Sequence, residues 1–576
     1  MKRNQKNIFW WIALVAGLVL VNVIAGSFHS RVDLTEDKRY SLTQGSRELL
    51  RNLDEPLQLD VFLAGDLPAE FRRLENATSE FLRVMRDVNP SRIRYRFIDP
   101  ADDAGDGKSW ADSLRRMGIE PINITVQVKA GQEQRFAFPY AIATYNNRRE
   151  AVELFENSRR SITVAEMNNA EAMMEYQFAR SIDQLISPVR PTVVYATGHG
   201  EPVGPESYDI VQQLGGPYNF NIFDMSRQPY VPGPDTISAL LIVKPSLKFS
   251  ETDKLKLDQY LMRGGRILWF IDNLHAEEDS LRFKSQLIAY ERDLDIQDLL
   301  FHYGARINPD LLMDLQCDFL PFAVGGSASE PQYEFLHWNY YPLFESPNNH
   351  IINKNLGLVA GRYVNSIDTV EVPGITKTFL LRSSANSRTI STPALISPNE
   401  NRNTPEDALF KRSGIPAAVL LEGNFTSFFK SRLSRALSDS LGAFGGFREA
   451  GNGGGKMIVV SDGDIVLNDV SPRQGPLPMG MNLFTVGSQF ELPNANRNFL
   501  LNCLEYVTAR NVIIESRNKE IVVRTLDMPK VAAEKTKWQV ITIAVPVLLV
   551  ILAGLIYLQL RRARYAPVER KVNTKM

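Results

Sequence analysis

Cysteine and histidine are scarce in this chain: two and six among 576 residues. Cys317 and Cys503 are far apart and match no metal-ligand spacing, so neither a disulfide framework nor a cysteine zinc site organises the fold. Two buried free thiols are expected, with one long-range bridge as the alternative. Excess charge is also missing. Lys and Arg total 65 against 66 Asp and Glu, and a net charge of −1 gives no global attraction to nucleic acid. There is no Gly-x-Ser-x-Gly elbow and no His-Glu-x-x-His helix motif. Gly451–Lys456 (GNGGGK) only superficially resembles a phosphate loop. Ala450 stands where its first glycine is needed, Met457 where Ser or Thr would hold magnesium, and the loop precedes its strand. No cofactor and no metal site are expected.

What the chain does have is two long apolar runs. Ile8–Ile24 reads IFWWIALVAGLVLVNVI and Val540–Leu558 reads VITIAVPVLLVILAGLIYL. Each approaches the ~20 residues that a helix needs to cross ~30 Å of hydrocarbon. Trp10, Trp11, Trp538 and Tyr557 sit near their ends, where interfacial aromatics belong, and Pro546 interrupts the second run. Ala25-Gly26-Ser27 gives no clear cleavage site, so the first run is expected to be an uncleaved anchor. Lys2, Arg3 and Lys6 precede the first run; Arg561, Arg562, Arg564, Arg570, Lys571 and Lys575 follow the second. Basic flanks favour the cytoplasmic side. Both termini are therefore expected in the cytoplasm of an inner-membrane protein, with the large middle region periplasmic.

The middle reads as an α/β ectodomain. The expected organisation is a tail and transmembrane helix at 1–28, a first α/β domain at 29–187, and a parallel-sheet α/β domain in two parts, 188–300 and 441–515. A β-rich insertion at 301–440 separates those parts; a linker at 516–537, a transmembrane helix at 538–560 and a basic tail at 561–576 follow. The first domain alternates β-like runs, as at Leu57–Gly65, with apolar-faced helices, in the order of a thioredoxin-like unit but without Cys-x-x-Cys. In the second, PTVVYAT (191–197), SALLIV (238–243), RILWFI (266–271) and KMIVV (456–460) are continuous apolar strands, three of them followed by helices, as in a parallel sheet covered on both faces. Ser250 with Asp253 forms a capping box for one of those helices.

Polar residues just past the carboxyl ends of such strands converge on one edge, where ligands usually bind. That edge would carry His199, Glu201, Lys244, Asp272, Asp462 and Asp464, as a pocket or as strand-end caps. His199 and Glu201 could serve as a base and its partner, but no nucleophile accompanies them.

The run Thr-Gly-His-Gly-Glu (197–201), the stretch 239–272, the GGKMIVVSDGDIVLND segment (454–469) and residues 31–63 resemble the auxiliary-component family of uncharacterised ABC transport systems, and within it the gliding-motility-associated accessory proteins of the GldG family. The resemblance covers essentially the whole chain. It implies a glutamine-amidotransferase-like domain without its catalytic cysteine. It also implies a non-enzymatic subunit joined to a polytopic ABC permease and, through it, to a cytoplasmic ATPase, serving gliding and the linked protein secretion. Hetero-oligomerisation, membrane lipid and envelope-protein contacts follow from that role; nucleic acid does not. Two other functions remain open: a membrane-tethered hydrolase around His199 and Glu201, and a cell-wall glycan scaffold using Tyr333, Phe335, Trp338, Tyr340 and Tyr341.

Overall fold

The computed structural model describes residues 14, 17 and 41–565, apart from 104–108, 118, 120, 129–130, 156–163, 188, 277–285, 328–329, 355, 398–406, 434–445, 452, 492–493, 509–515 and 517–527. The first apolar run (save Leu14 and Gly17), half of the 516–537 linker and residues 566–576 of the basic tail lie outside the described residues. The chain divides into two units, Met1–Glu520 and Ile521–Met576.

The first unit is a mixed α/β structure containing two principal sheets. The smaller begins after helix α1 (Gln44–Arg51), whose N-cap Thr43 accepts a hydrogen bond from the Ser46 amide. Strand β1 (Leu57–Val61) buries alternate residues. Helix α2 (Ala69–Val88) leads to β2 (Ile93–Phe97), and β3 (Tyr140–Tyr145) and β4 (Arg148–Glu153) complete the sheet. The order is β2-β1-β3-β4, with only β1 and β2 parallel. A separate hairpin, Ile122–Val128 with Gly131–Ala137, stands between β2 and β3 in sequence. Helix α3 (Val164–Ile186) buries Met167, Ala170, Met174, Phe178, Ile182 and Leu185 against this sheet. That spacing of three and four is one helix face, so Met174 of the methionine-rich stretch is core.

The larger sheet has seven strands: β5 (Thr192–Thr197), β6 (Asn219–Asp224), β7 (Ala239–Val243), β8 (Arg266–Phe270), β9 (Ile375–Arg382), β10 (Pro416–Gly423) and β11 (Gly455–Val460). Their order is β9-β10-β11-β8-β7-β5-β6. From β6 to β11 the strands are parallel; β10 and β9 are antiparallel additions. Successive side chains point to opposite faces, which accounts for the unbroken apolar strands. Val193, Tyr195, Leu241, Leu268, Ile458 and Val460 pack on one face against α4 (Tyr208–Gly215) and α7 (Asn496–Val507). Val194, Leu240, Ile242, Trp269, Met457 and Val459 pack on the other against α5 (Glu251–Met262) and α6 (Gln297–Tyr303). Each large apolar side chain buried this way contributes about 1.5–3 kcal/mol. Strand β6 has no counterpart in the sequence reading, because NFNIFD is polar at alternate positions and lies at the sheet edge.

Two strands from the 301–440 stretch, β9 and β10, belong to this sheet. The rest forms small sheets, including a long hairpin of Cys317–Ser327 with Glu330–Phe344. Trp338, Tyr340 and Tyr341 are buried there, Phe335 is half-buried and Tyr333 is exposed. Three of the five aromatics offered for sugar stacking are therefore core. Cys317 and Cys503 are both buried free thiols.

Buried Asp258 pins α5 to its surroundings. It accepts from Tyr303 Oη at 2.5 Å, Ser427 Oγ at 2.8 Å, the Phe428 amide at 2.8 Å and Gln259 Nε2 at 2.8 Å. Helix α3 ties two distant segments. Glu175 accepts from Thr43 N and Oγ1 at 2.7 and 2.8 Å, and Tyr176 Oη donates to Glu505 on α7 at 2.8 Å.

In the second unit, α8 (Met528–Tyr565) is a helix of 38 residues, about 57 Å long at 1.5 Å per residue. Glu534–Arg564 is long and apolar enough to cross a membrane; its most apolar 18 residues have a mean hydropathy of 2.8 and none of them is buried. Pro546 lies inside it.

Asp258→Ala strands the Tyr303, Ser427 and Phe428 donors, while Gln259 keeps its bond to the Arg448 carbonyl, and is expected to lower the free energy of unfolding by about 2–5 kcal/mol. Asp258→Asn, which keeps an acceptor, should lose less. Urea denaturation of the two variants compares them.

Candidate functional site

The loops past β5 and β7 meet first. Gly198 and Gly200 take φ of +118° and +79°, which folds the Gly-His-Gly-Glu turn tightly back. A Cβ on Gly200 would lie 2.1 Å from Ser246 Oγ. That close approach lets the Ser246 and Leu247 amides both donate to the His199 carbonyl at 2.8 Å, while Ser246 Oγ donates to the Gly200 carbonyl at 3.1 Å. The parallel strands run in chain order 2-1-3-4-5 across the sheet, so the winding reverses between β5 and β7. Ligands of open α/β sheets bind in the crevice at that reversal. Here hydrogen bonds between the two loops close it.

His199 is buried between carboxylates. Its Nε2 lies 3.1 Å from Asp253 Oδ2 and its Nδ1 lies 3.7 Å from Glu201 Oε1, while its amide donates to Glu201 Oε2 at 2.8 Å. The ring stacks on Phe249 with centroids 3.8 Å apart and planes 9° from parallel. Asp253 also accepts from Ser250 Oγ at 2.7 Å and Lys256 Nζ at 2.8 Å, and Lys256 reaches the Met225 carbonyl at 2.9 Å. Burial works against protonation of His199, but the neighbouring Asp253 and Glu201 carboxylates outweigh it and raise the pKa to about 9. Burial pushes the Asp253 carboxyl up, and bonds from His199, Lys256 and Ser250 bring it well below the usual range. The ring is hydrogen-bonded to Asp253 at Nε2 and its face packs on Phe249, while Nδ1 and Glu201 Oε1 face each other at 3.7 Å without a hydrogen bond; the arrangement fixes a turn.

Lys244 heads a second group. It adopts φ of +47° at the end of β7, and its Nζ lies 3.0 Å from Asp272 Oδ2 and 2.7 Å from Asp464 Oδ1. Asp272 accepts the Gly463 amide at 2.5 Å. Asp462 accepts the Asp464 amide at 2.8 Å and the Arg362 amide at 2.7 Å, one on each oxygen. Arg362 forms a two-pronged pair with Asp469 at 2.7 and 2.6 Å. Burial and the neighbouring carboxylates raise the Asp462 carboxyl well above its ordinary value, and burial likewise raises Asp272 despite Lys244. Burial lowers and the two partner carboxylates raise the Lys244 ammonium, with a net rise. Oxygens of Asp272, Asp462 and Asp464 lie within 4.8 Å of one another. A resident cation does not fit, because Lys244 already neutralises two of the carboxylates and backbone amides occupy the third. The adjoining cleft, lined by Asp318, Tyr341, Arg362, Asp464, Asn482 and Asn496, has a volume of about 20 Å³. That is room for a water molecule rather than an organic ligand.

The six strand-end residues therefore bond into two groups: His199 with Glu201, and Lys244 with Asp272, Asp462 and Asp464. Sequence reasoning missed Asp253 and Lys256 as partners of His199, although the Asp253 capping box was visible. It missed Arg362 and Asp469 entirely, since no local pattern marks a pair 107 residues apart.

A family model described as "ABC-type uncharacterized transport system" matches residues 190–503, more than half of the chain. The chain belongs to that auxiliary family of ABC-type transport systems. The matched span takes in the large sheet from β5 to β11 and both polar groups. A second model, a domain of unknown function (DUF7088), matches residues 36–144. No curated protein matches the chain. Among solved structures, the chain is similar to the "mmIFT52 N-terminal domain" at 12% identity and TM-score 0.31, covering 55% of this chain and 97% of that one. It is also similar to the exo-beta-1,4-mannosidase Op5Man5 from Opitutaceae bacterium strain TAV5 at 9% identity and TM-score 0.19, covering 72% and 47%. Neither score supports a functional argument.

Because the His199 pKa is about 9 in the fold against an ordinary 6.5, its contribution is fully present below pH 6.5 and is lost as pH rises through 9. Wild type should lose about 3 kcal/mol of stability over that window relative to His199→Gln. Thermal melts of the pair from pH 6 to 10 measure the difference.

Proposed function

We propose that this chain is a non-catalytic, membrane-anchored extracytoplasmic subunit of an ABC-transporter-type complex, associated with gliding motility and its linked protein secretion. Family membership supports the transporter association. The observation that carries the non-catalytic part is the closed carboxyl edge of the large sheet, where His199 is bonded to Asp253 and Lys244 to Asp272 and Asp464. The order β2-β1-β3-β4 supports a thioredoxin-like first domain, and the five parallel strands support an amidotransferase-like second domain. Such a domain needs a nucleophile at a strand-to-helix turn; Cys503 instead lies inside α7, and Cys317 in a hairpin, both buried.

In this reading the two apolar runs hold both ends in the inner membrane, with cytoplasmic termini and a periplasmic middle. The run in α8 carries no charge between Lys537 and Arg561 and offers no intramembrane ion path. It suits docking to the helices of a polytopic permease, which in turn engages a cytoplasmic ATPase.

Affinity purification of the tagged full-length chain from native membranes in mild detergent should retrieve a polytopic permease and an ATPase in fixed ratio. Recovery of the chain alone, at a concentration where other ABC complexes survive, counts against the assignment.

A further inference from the structure

The C-terminal end of α8 carries aromatic and basic side chains at helical spacing. The uncharged stretch from Trp538 to Leu560 rises about 34 Å at 1.5 Å per residue, close to the ~30 Å of a hydrocarbon layer. The helix does not end with that stretch but continues to Tyr565. Arg561, Arg562 and Arg564 therefore leave the apolar layer on a helical scaffold, and all three are exposed.

Tyr557, Arg561 and Arg564 stand at i, i+4 and i+7, which places them on one face of the helix. Arg562 is rotated about 100° from Arg561 and points elsewhere. Tyr557 is 64% exposed, at the level where tyrosine marks a membrane interface. One turn further out, two guanidinium groups follow in line. Guanidinium forks match phosphate oxygens two at a time, which a lysine ammonium does not do. The surrounding charge favours the same ligand. Residues 561–576 hold six basic side chains and one acidic, a net of +5, against three and one, a net of +2, in residues 528–537 at the other end of the helix.

We propose that Tyr557, Arg561 and Arg564 bind the headgroup of an anionic phospholipid of the leaflet that faces the basic tail. The two arginines hold the phosphodiester, the tyrosine packs at the glycerol level, and Arg562 with the remaining basic tail adds unspecific attraction. The bound lipid would fix the rotation and depth of the helix, and so the face that it offers to a permease. This inference rests on α8 being membrane-spanning.

The test uses the full chain reconstituted in phosphatidylcholine bilayers with trace spin-labelled phosphatidylglycerol or phosphatidylcholine. The ratio of their association with the protein is read from the motionally restricted component. Wild type should prefer phosphatidylglycerol about fivefold or more, the effect of roughly one well-placed basic residue. Arg561→Gln/Arg564→Gln should bring the ratio close to one, and Arg562→Gln should keep most of the preference. No preference in wild type overturns the proposal. So does an equal loss in Arg562→Gln, which would mean diffuse charge and no defined site. Absence of any restricted lipid around wild type would instead overturn the membrane-spanning reading, a failure distinct from loss of selectivity. Circular dichroism of the ectodomain signal checks that the variants remain folded.

Discussion

Five parallel strands end at one edge of the large sheet, and the buried polar groups gathered there need partners. Two ionic clamps satisfy most of these groups, leaving His199 Nδ1 and Glu201 Oε1 facing each other at 3.7 Å without a hydrogen bond. His199, charged and stacked on Phe249, joins the turn after β5 to helix α5 through Asp253. Lys244, in a left-handed backbone conformation, joins the ends of β7, β8 and β11 through Asp272 and Asp464. Between them the amides of Ser246 and Leu247 close the place where the winding reverses. An edge that often binds ligands is thereby converted into part of the core. Removing one member of such a buried pair leaves an uncompensated charge, which is costlier than never having had the pair.

The same economy of partners governs how segments far apart in sequence are joined. Helix α3 is the common support in the first unit. Its Glu175 holds the start of α1, the first described segment after the N-terminal apolar run, and its next residue, Tyr176, holds α7. Burial works against the Arg180 cation nearby, while the charges of Tyr176 and Glu505 favour it, with a net rise in its pKa. One helix thus links the first described segment of the first unit to the last helix of the large sheet.

Legibility in the sequence followed burial on both faces. Strands β5, β7, β8 and β11 are continuous apolar runs and were visible as such; β6 was not, because Asn219 and Asn221 interrupt its pattern at an edge. The amphipathic helices were visible from their spacing, and the α5 cap from Ser250 and Asp253. That β9 and β10 extend the large sheet was not, since pairing across long separations leaves no local mark. The six strand-end residues were identifiable from their place after the strands. Their division into two groups was not, because it depends on Asp253, Lys256 and Arg362, which come from a helix and a distant loop. The aromatic stretch near Tyr340 has the composition of a sugar platform, yet Trp338, Tyr340 and Tyr341 are buried, and composition alone does not separate the two.

A domain with a closed ligand edge, in a chain whose C-terminal helix is long and apolar enough to cross a membrane, suits the attachment role proposed for it. The most direct test of that account is photocrosslinking in living cells from a benzoyl-phenylalanine placed at Leu548 or Ile551, midway along α8. The account predicts a discrete adduct between this chain and a polytopic membrane subunit of an ABC transporter. Adducts only with lipid or with a second copy of this chain would contradict it.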